Sequence, residues 1–349
     1  MRSRSLRLVL STSLLTILLF PTPGLAWGER GHDLITRAAA RLCALRAQEY
    51  KIDPSLCRAL VFKEHLLGHL SNVPDIVWKA SPKAVTEANY PTHFIDLDLI
   101  TTPAKGLSAA PLQYATAASR ARESSRGPQD MLKDVGTAPW RAEQLERLLA
   151  SAWKERAFDR AILLSGLLSH FVADLTMPFH ATSDYDGWES GHGGIHSWYE
   201  SEMVRDLPLA FDADVFDEAA DKHPFKALQA DIRKNGHDPD QPLIIAWALA
   251  LNAHHRVEKI LALDSSKALL IKSELKPVKR EAKRREISET RETFRPLLRE
   301  DLALAADALL YFWARAWQEG GKPSLGDYRS WYYPLAPDFI PVDYASSSR

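Results

Sequence analysis

The stretch AFDRAILLSGLLSHFVADLT, residues 157–176, limits the fold more than any other part of the chain. Its apolar residues follow helical spacing but wrap most of the circumference instead of one stripe, so the helix has to be enclosed by other elements. Pro178 stops it. Helical spacing recurs at residues 32–48, 54–70, 138–155, 240–262 and 298–317. Strand signals are scarce: THFIDLDLI at 92–100 alternates briefly and ends in Thr-Thr-Pro. The fold class is therefore all-α, a multi-helix bundle. ATSDYDGWESGHGG at 181–194 reads as a loop.

The first 26 residues stand apart. Arg2, Arg4 and Arg7 precede a largely apolar run from Leu8 to Phe20, then Pro21, Pro23 and the small-residue end Gly24-Leu25-Ala26. The run is shorter than the roughly 18 residues a membrane span needs, so the pattern reads as a secretory signal peptide cut after Ala26. Nothing later in the sequence is long and apolar enough to span a bilayer. The expected product, 27–349, is one all-α domain, periplasmic or secreted, with 318–349 as a C-terminal strap. Removing three arginines lowers the formal net charge of −1 by three. Such a chain has no global field for nucleic acid or anionic membrane, so any phosphate recognition has to be local.

Two cysteines, Cys43 and Cys57, are present. In an oxidising compartment they admit one disulfide stapling the end of one helix to the start of the next, although buried free thiols are equally compatible. Residues 272–300 are dense in interleaved Glu and Lys/Arg. They read as a solvated helix laced with opposite charges in preference to a basic phosphate-binding arm. The aromatic tail from Asp327 to Tyr344 reads as packing on the bundle.

The chemistry lies in the histidines. His170 and Asp174 are four apart on the central helix, so imidazole and carboxylate share one face. His180 follows the proline stop, and His196 with Glu200 repeats the spacing. Upstream stand His93 in HFID and Asp75 in SNVPDIVW, with Asp96 and Asp98 near in sequence. One His-x-x-x-Asp pair alone is ordinarily a helix-surface pair. Two within 30 residues, without clustered thiolates, form a zinc-type ligand set. If the chain is cut after Ala26, the Trp27 α-amino nitrogen and carbonyl can chelate an ion, and His32 can turn back onto it. His192 lacks a carboxylate four residues on and reads as a loop residue. His254 and His255 read as packing. Phe94, Trp188 and Trp198 either line a cleft or shield the cluster.

Trp27, His32, Asp75, His93, His170, Asp174, His180, His196 and Glu200, in that order, resemble the ligands of the trinuclear zinc enzymes of the phospholipase C and P-one-type nuclease superfamily. The likeness runs from Trp27 to Glu200. It implies three Zn2+ ions: the first held by Asp75, His93, His170 and Asp174, the second by Trp27 and His32 with Asp174 bridging, and the third by His180, His196 and Glu200. It further implies activation of water for in-line attack on a phosphodiester, with Asp75 as the catalytic carboxylate that orients the water. The implied partner is a phospholipid or nucleic-acid phosphodiester, with transient membrane-surface contact in the lipid case, and the implied state is a monomer.

Substrate is the open point. HSWYE, with Glu200, and PFHA around His180 resemble the phospholipase branch. WGERGH resembles the nuclease branch, but Ile195 stands where that branch follows Gly-Gly with Asn. The reading favours a phospholipase C-like hydrolase over a single-strand nuclease, and either over a non-catalytic zinc-binding protein.

Overall fold

In a computed structural model, residues 27–267 and 282–326 are described. Of the strap expected at 318–349, residues 327–349 lie outside them, while its first two residues end the Ile287–Glu319 helix; the leader 1–26 and residues 268–281 of the charged stretch also lie outside. The regular structure of the described residues is all helix, with no strand. The segment at 92–100 contributes an isolated bridge, Ile95 to Gly136, and a single turn, Leu97–Ile100. The all-α expectation holds.

At the centre is the Phe158–Asp174 helix, buried without a break from Ala161 to Asp174. Ala138–Lys154 packs antiparallel beside it, as the short connection at 155–157 dictates. Gly28–Arg46, Glu64–Ser71 and the long Ile287–Glu319 helix also pack against it, and Pro242–Lys267 closes the bundle against Ala138–Lys154. Proline at the first helical positions of Pro54–Phe62, Pro224–Lys234 and Pro242–Lys267 costs no hydrogen bond there. Asp53 caps Pro54–Phe62 by accepting from the Ser55 N–H at 2.7 Å.

Three expectations need correction. Residues 54–70 are two helices, Pro54–Phe62 and Glu64–Ser71, parted at Lys63. Two amphipathic helices, Ala210–Lys222 and Pro224–Lys234, had no counterpart in the sequence reading, because each buries only a few apolar residues. The charged stretch is not one solvated helix. Helix begins at Ile287, and residues 282–286 have no regular structure, with the Arg284 side chain only 7% exposed.

Cys43 and Cys57 form a disulfide joining Gly28–Arg46 to Pro54–Phe62. Closing a 14-residue separation removes denatured-chain entropy worth about 3 kcal/mol. Cys43→Ser combined with Cys57→Ser should therefore lower unfolding free energy by about that amount in urea. An unchanged midpoint would show that the bridge contributes nothing.

Candidate metal centre

Helix ends and interrupted helical turns bring the candidate ligands to one buried place. His170 and Asp174 come from the last turn of Phe158–Asp174. Asp75 comes from a π-helical turn, Pro74–Trp78, and Glu200 from another, Trp198–Glu202. Such turns widen the helix locally and recur at functional sites. His196 sits on the short turn just before the second, so its i,i+4 pairing with Glu200 survives the change of pitch. His32 belongs to the first turns of Gly28–Arg46.

Asp174 is the hub. Its Oδ2 lies 3.0 Å from His93 Nδ1 and 3.2 Å from His170 Nε2, and its Oδ1 lies 3.6 Å from His32 Nε2 and 3.8 Å from His180 Nδ1. Asp75 Oδ1 is 3.6 Å from His93 Nδ1 and 3.7 Å from His170 Nε2. Glu200 Oε2 is 3.0 Å from His196 Nε2 and 3.7 Å from His180 Nε2. Two ligands on a tetrahedral zinc ion, each bonded at about 2.0–2.1 Å, stand roughly 3.4 Å apart. Most of these separations are of that size and too long for hydrogen bonds. Three groups have donor atoms close enough to share an ion: His32 with His170 and Asp174; Asp75 with His93 and His170; and His180 with His196 and Glu200.

Trp27 completes the cluster. It is fully buried, its indole N–H donates to the Ala173 carbonyl at 2.9 Å, and its backbone N–H donates to Glu200 Oε2 at 3.2 Å. Its φ is +43°, a costly value for a bulky residue. Gly28 follows with φ +53°, and a Cβ there would press on the Ser201 backbone at 3.2 Å. The chain bends at these two residues, and there the Trp27 nitrogen meets Glu200.

The residues present fit metal ions. Asp75 Oδ2, Asp174 Oδ1, His180 Nδ1 and Glu200 Oε1 are buried with no hydrogen-bond partner. Leaving such a group unsatisfied costs about 1–3 kcal/mol. Four in one place point to a missing common partner. His170 Nδ1 donates to the Ser71 carbonyl at 2.8 Å, which fixes the ring with Nε2 toward the carboxylates, as outer partners of metal-bound histidines do. Burial, reinforced by Lys79 and neighbouring imidazoles, holds His93 well below the usual imidazole range. Burial, then His196, does the same for His180. Burial lifts Glu200 to about 7, with His196 opposing, and Asp174 to about 6, with His170 opposing.

Lys79 was not singled out in the sequence. Its Nζ is 2.6 Å from Asp75 Oδ1, and it acts electrostatically on His93, His170, Asp174, His180, His196 and Glu200. Its position four residues after Asp75 was the available signal. Asp98 stands apart from the three groups, accepting from the Ser183 N–H at 2.9 Å. His192 turns to Asp264. His254 and His255 lie against the carbonyls of Ala181 and Pro103. Trp198 is buried against Phe294, whereas Phe94 and Trp188 are half-buried.

Fold and site together define an all-helical protein with a buried imidazole–carboxylate cluster of metal-ligand composition. No family model matches the chain, and no curated protein does. Among solved structures it is similar to the alpha toxin of Clostridium absonum, at 14% identity over 83% of this chain and 66% of that one, with a TM-score of 0.41. It is similar also to the Clostridium perfringens alpha-toxin from an avian strain, at 15% identity over 88% of this chain and 66% of that one, with a TM-score of 0.41. The chain thus spans 66% of the length of either toxin, and at that score the likeness carries no weight for function. Among the described residues no helix is long and apolar enough to cross a membrane.

Proposed function

We propose that the protein is a zinc-dependent phosphoester hydrolase, phospholipase C-like, exported and cut after Ala26, with up to three ions in the cluster. The observation that supports this best is that His170 belongs to two adjacent ligand groups and Asp174, in one of them, lies 3.0 Å from His93 of the other, with Lys79 beside them. Adjacent cations in one cavity suit a phosphodiester, whose negative charge repels a nucleophile. When bound there, zinc would supply Lewis acidity and bring the pKa of water toward neutrality.

The chain's own residues supply the rest. Asp75 is held through Oδ1 by Lys79, which leaves Oδ2 free to orient a water. The Lys79 ammonium offers a fixed cation to an anionic ester, and its side chain, 23% exposed, reaches the cluster from the solvent side. The buried Phe171 ring packs against His93 and His170, at 5.4 and 5.1 Å, and the buried Phe179 ring lies 6.5 Å from His196, which holds those imidazoles in place. A second reading, single-strand nuclease, draws on the aromatic rim: Tyr185, 40% exposed, lies 6.0 Å from the His196 ring and 5.3 Å from Trp188, and Tyr90, 54% exposed, packs on Phe94. Exposed rings of this kind stack on unpaired bases.

The deciding experiment assays the protein beginning at Trp27 side by side on phosphatidylcholine vesicles, single-stranded DNA and RNA. Hydrolysis of one of them, abolished by a chelator and restored by zinc, is expected. Zinc content should approach three per chain, and one or none would overturn the trinuclear reading.

Metal uptake should also depend on pH. Without metal, Asp174 and Glu200 hold protons below about 6 and about 7. An ion has to displace those protons, so affinity rises with pH and levels off only above about 7. Zinc affinity at the Glu200 corner, measured by chelator competition, should fall about fivefold from pH 7 to pH 6. A flat profile would contradict carboxylate ligation.

A further inference from the structure

The loop between His180 and His196 contains no helix, yet one side of it is locked by residues distant in sequence. His192 is buried, with Nδ1 2.7 Å from Oδ2 of the fully buried Asp264 and Nε2 3.2 Å from Ser265 Oγ. Arg284 takes both Asp264 oxygens, Nε donating to Oδ1 and Nη2 to Oδ2, each at 3.0 Å. The same guanidinium donates to the carbonyls of Gly193 at 2.9 Å and His192 at 2.5 Å, and lies 5.4 Å from the Trp198 ring. The Ala282 N–H adds a bond to the Gly193 carbonyl at 2.8 Å.

The loop is shaped to be held there. The His192 N–H donates to the Gly187 carbonyl at 2.6 Å, and Gly187 has φ +71° with room for no Cβ, which would meet His192 Cβ at 2.7 Å. Asp186, from the same tight loop, accepts the His196 N–H at 3.2 Å. The restraint therefore passes from Arg284 through His192 and Gly193 to His196, whose ring faces Glu200.

We infer that Arg284, acting through Asp264 and the carbonyls of His192 and Gly193, is a positioning residue for the His180, His196 and Glu200 corner of the centre. The inference rests on the reading of that corner as metal-binding. It gives roles to two features the mechanism leaves unused, the loop histidine and the charged stretch. Ser265, His192 and Asp264 are also ordered like a nucleophile, a base and its orienter. Arg284 argues against that use: a cation on both Asp264 oxygens opposes the field an imidazolium would need. A planar fork spanning a carboxylate and two carbonyls is a fixing device that lysine cannot copy.

The test compares wild type, Arg284→Ala, Arg284→Lys and Ser265→Ala, each beginning at Trp27 and loaded with zinc. Zinc release to excess chromogenic chelator is followed, with thermal melting of the metal-free forms alongside. In Arg284→Ala one ion per chain should leave roughly 10–100-fold faster, with the others at wild-type rates. Arg284→Lys should show the same selective loss, and it carries the comparison if the alanine variant does not fold. Ser265→Ala should release zinc and hydrolyse substrate as wild type does. Wild-type release from both Arg284 variants would overturn the inference. So would acceleration of all ions together with a lowered melting temperature, which marks general support of the fold. Loss of hydrolysis in Ser265→Ala with zinc retained would overturn it in favour of a serine nucleophile. A wild type that binds no zinc overturns the metal-centre reading itself, a result visible before any variant is made.

Discussion

Replacing Asp174 with Asn is expected to remove at least one zinc ion per chain and to cut hydrolysis by more than about 100-fold, beyond the roughly 10–100-fold that loss of an outer-shell partner costs. Asp174 is fully buried, and its two oxygens face opposite ways: Oδ2 toward His93 and His170, Oδ1 toward His32 and His180. It lies in reach of imidazoles from all three ligand groups. Asn has nearly the same shape but no charge, and its amide hydrogens would point at two of the imidazoles or at an ion. Stability should move differently from activity. Burial raises Asp174 to about 6, so at pH 8 the metal-free fold holds an ionised carboxylate at a cost, and Asn relieves it. A raised pKa in the folded state means this cost is absent below the unfolded value and grows as pH rises through about 6. Metal-free Asp174→Asn should therefore melt no lower than metal-free wild type at pH 8. Metal analysis, initial rates and melting together check this, and near-normal hydrolysis would refute the bridging role.

Much of this centre was legible because helical geometry is local. His170 with Asp174, and His196 with Glu200, are each four apart, and both pairs meet in the fold as the spacing requires. Their meeting with each other and with Asp75 was not readable from spacing. It depends on π-helical turns at Pro74–Trp78 and Trp198–Glu202, which have no distinct hydrophobic period. Lys79 escaped notice because a lysine four residues from an aspartate is usually a surface pair. Here the aspartate side chain is only 2% exposed, and burial is what makes the pair consequential. Arg284 was misread for a related reason. Alternating charge predicts a solvated helix face, but the partner that draws this arginine inward is Asp264, in a different helix.

A protein that keeps Ala26 ahead of Trp27 should bind one zinc ion fewer than one that begins at Trp27, and should lose most of its activity. The Trp27 nitrogen already points into the cluster, 3.2 Å from Glu200 Oε2, on a backbone bent to φ +43°. The indole is anchored by the Ala173 carbonyl, one residue before Asp174, so the nitrogen cannot withdraw without disturbing the hub. With Ala26 attached that nitrogen is an amide, whose lone pair is delocalised and whose hydrogen occupies the position an ion would take. Freed by cleavage it becomes an amine with a pKa near 8, which can give up a proton and ligate at neutral pH. Trp27→Phe tests a separate point: it keeps the amino nitrogen but loses the indole bond, so it should keep the ion assigned to Trp27 and His32 at reduced affinity, whereas the Ala26-extended form should not bind that ion at any accessible zinc concentration. Equal zinc content in the two N-terminal forms would remove Trp27 from the ligand set. The expected difference would mean that the metal site is complete only in a chain whose first residue is Trp27.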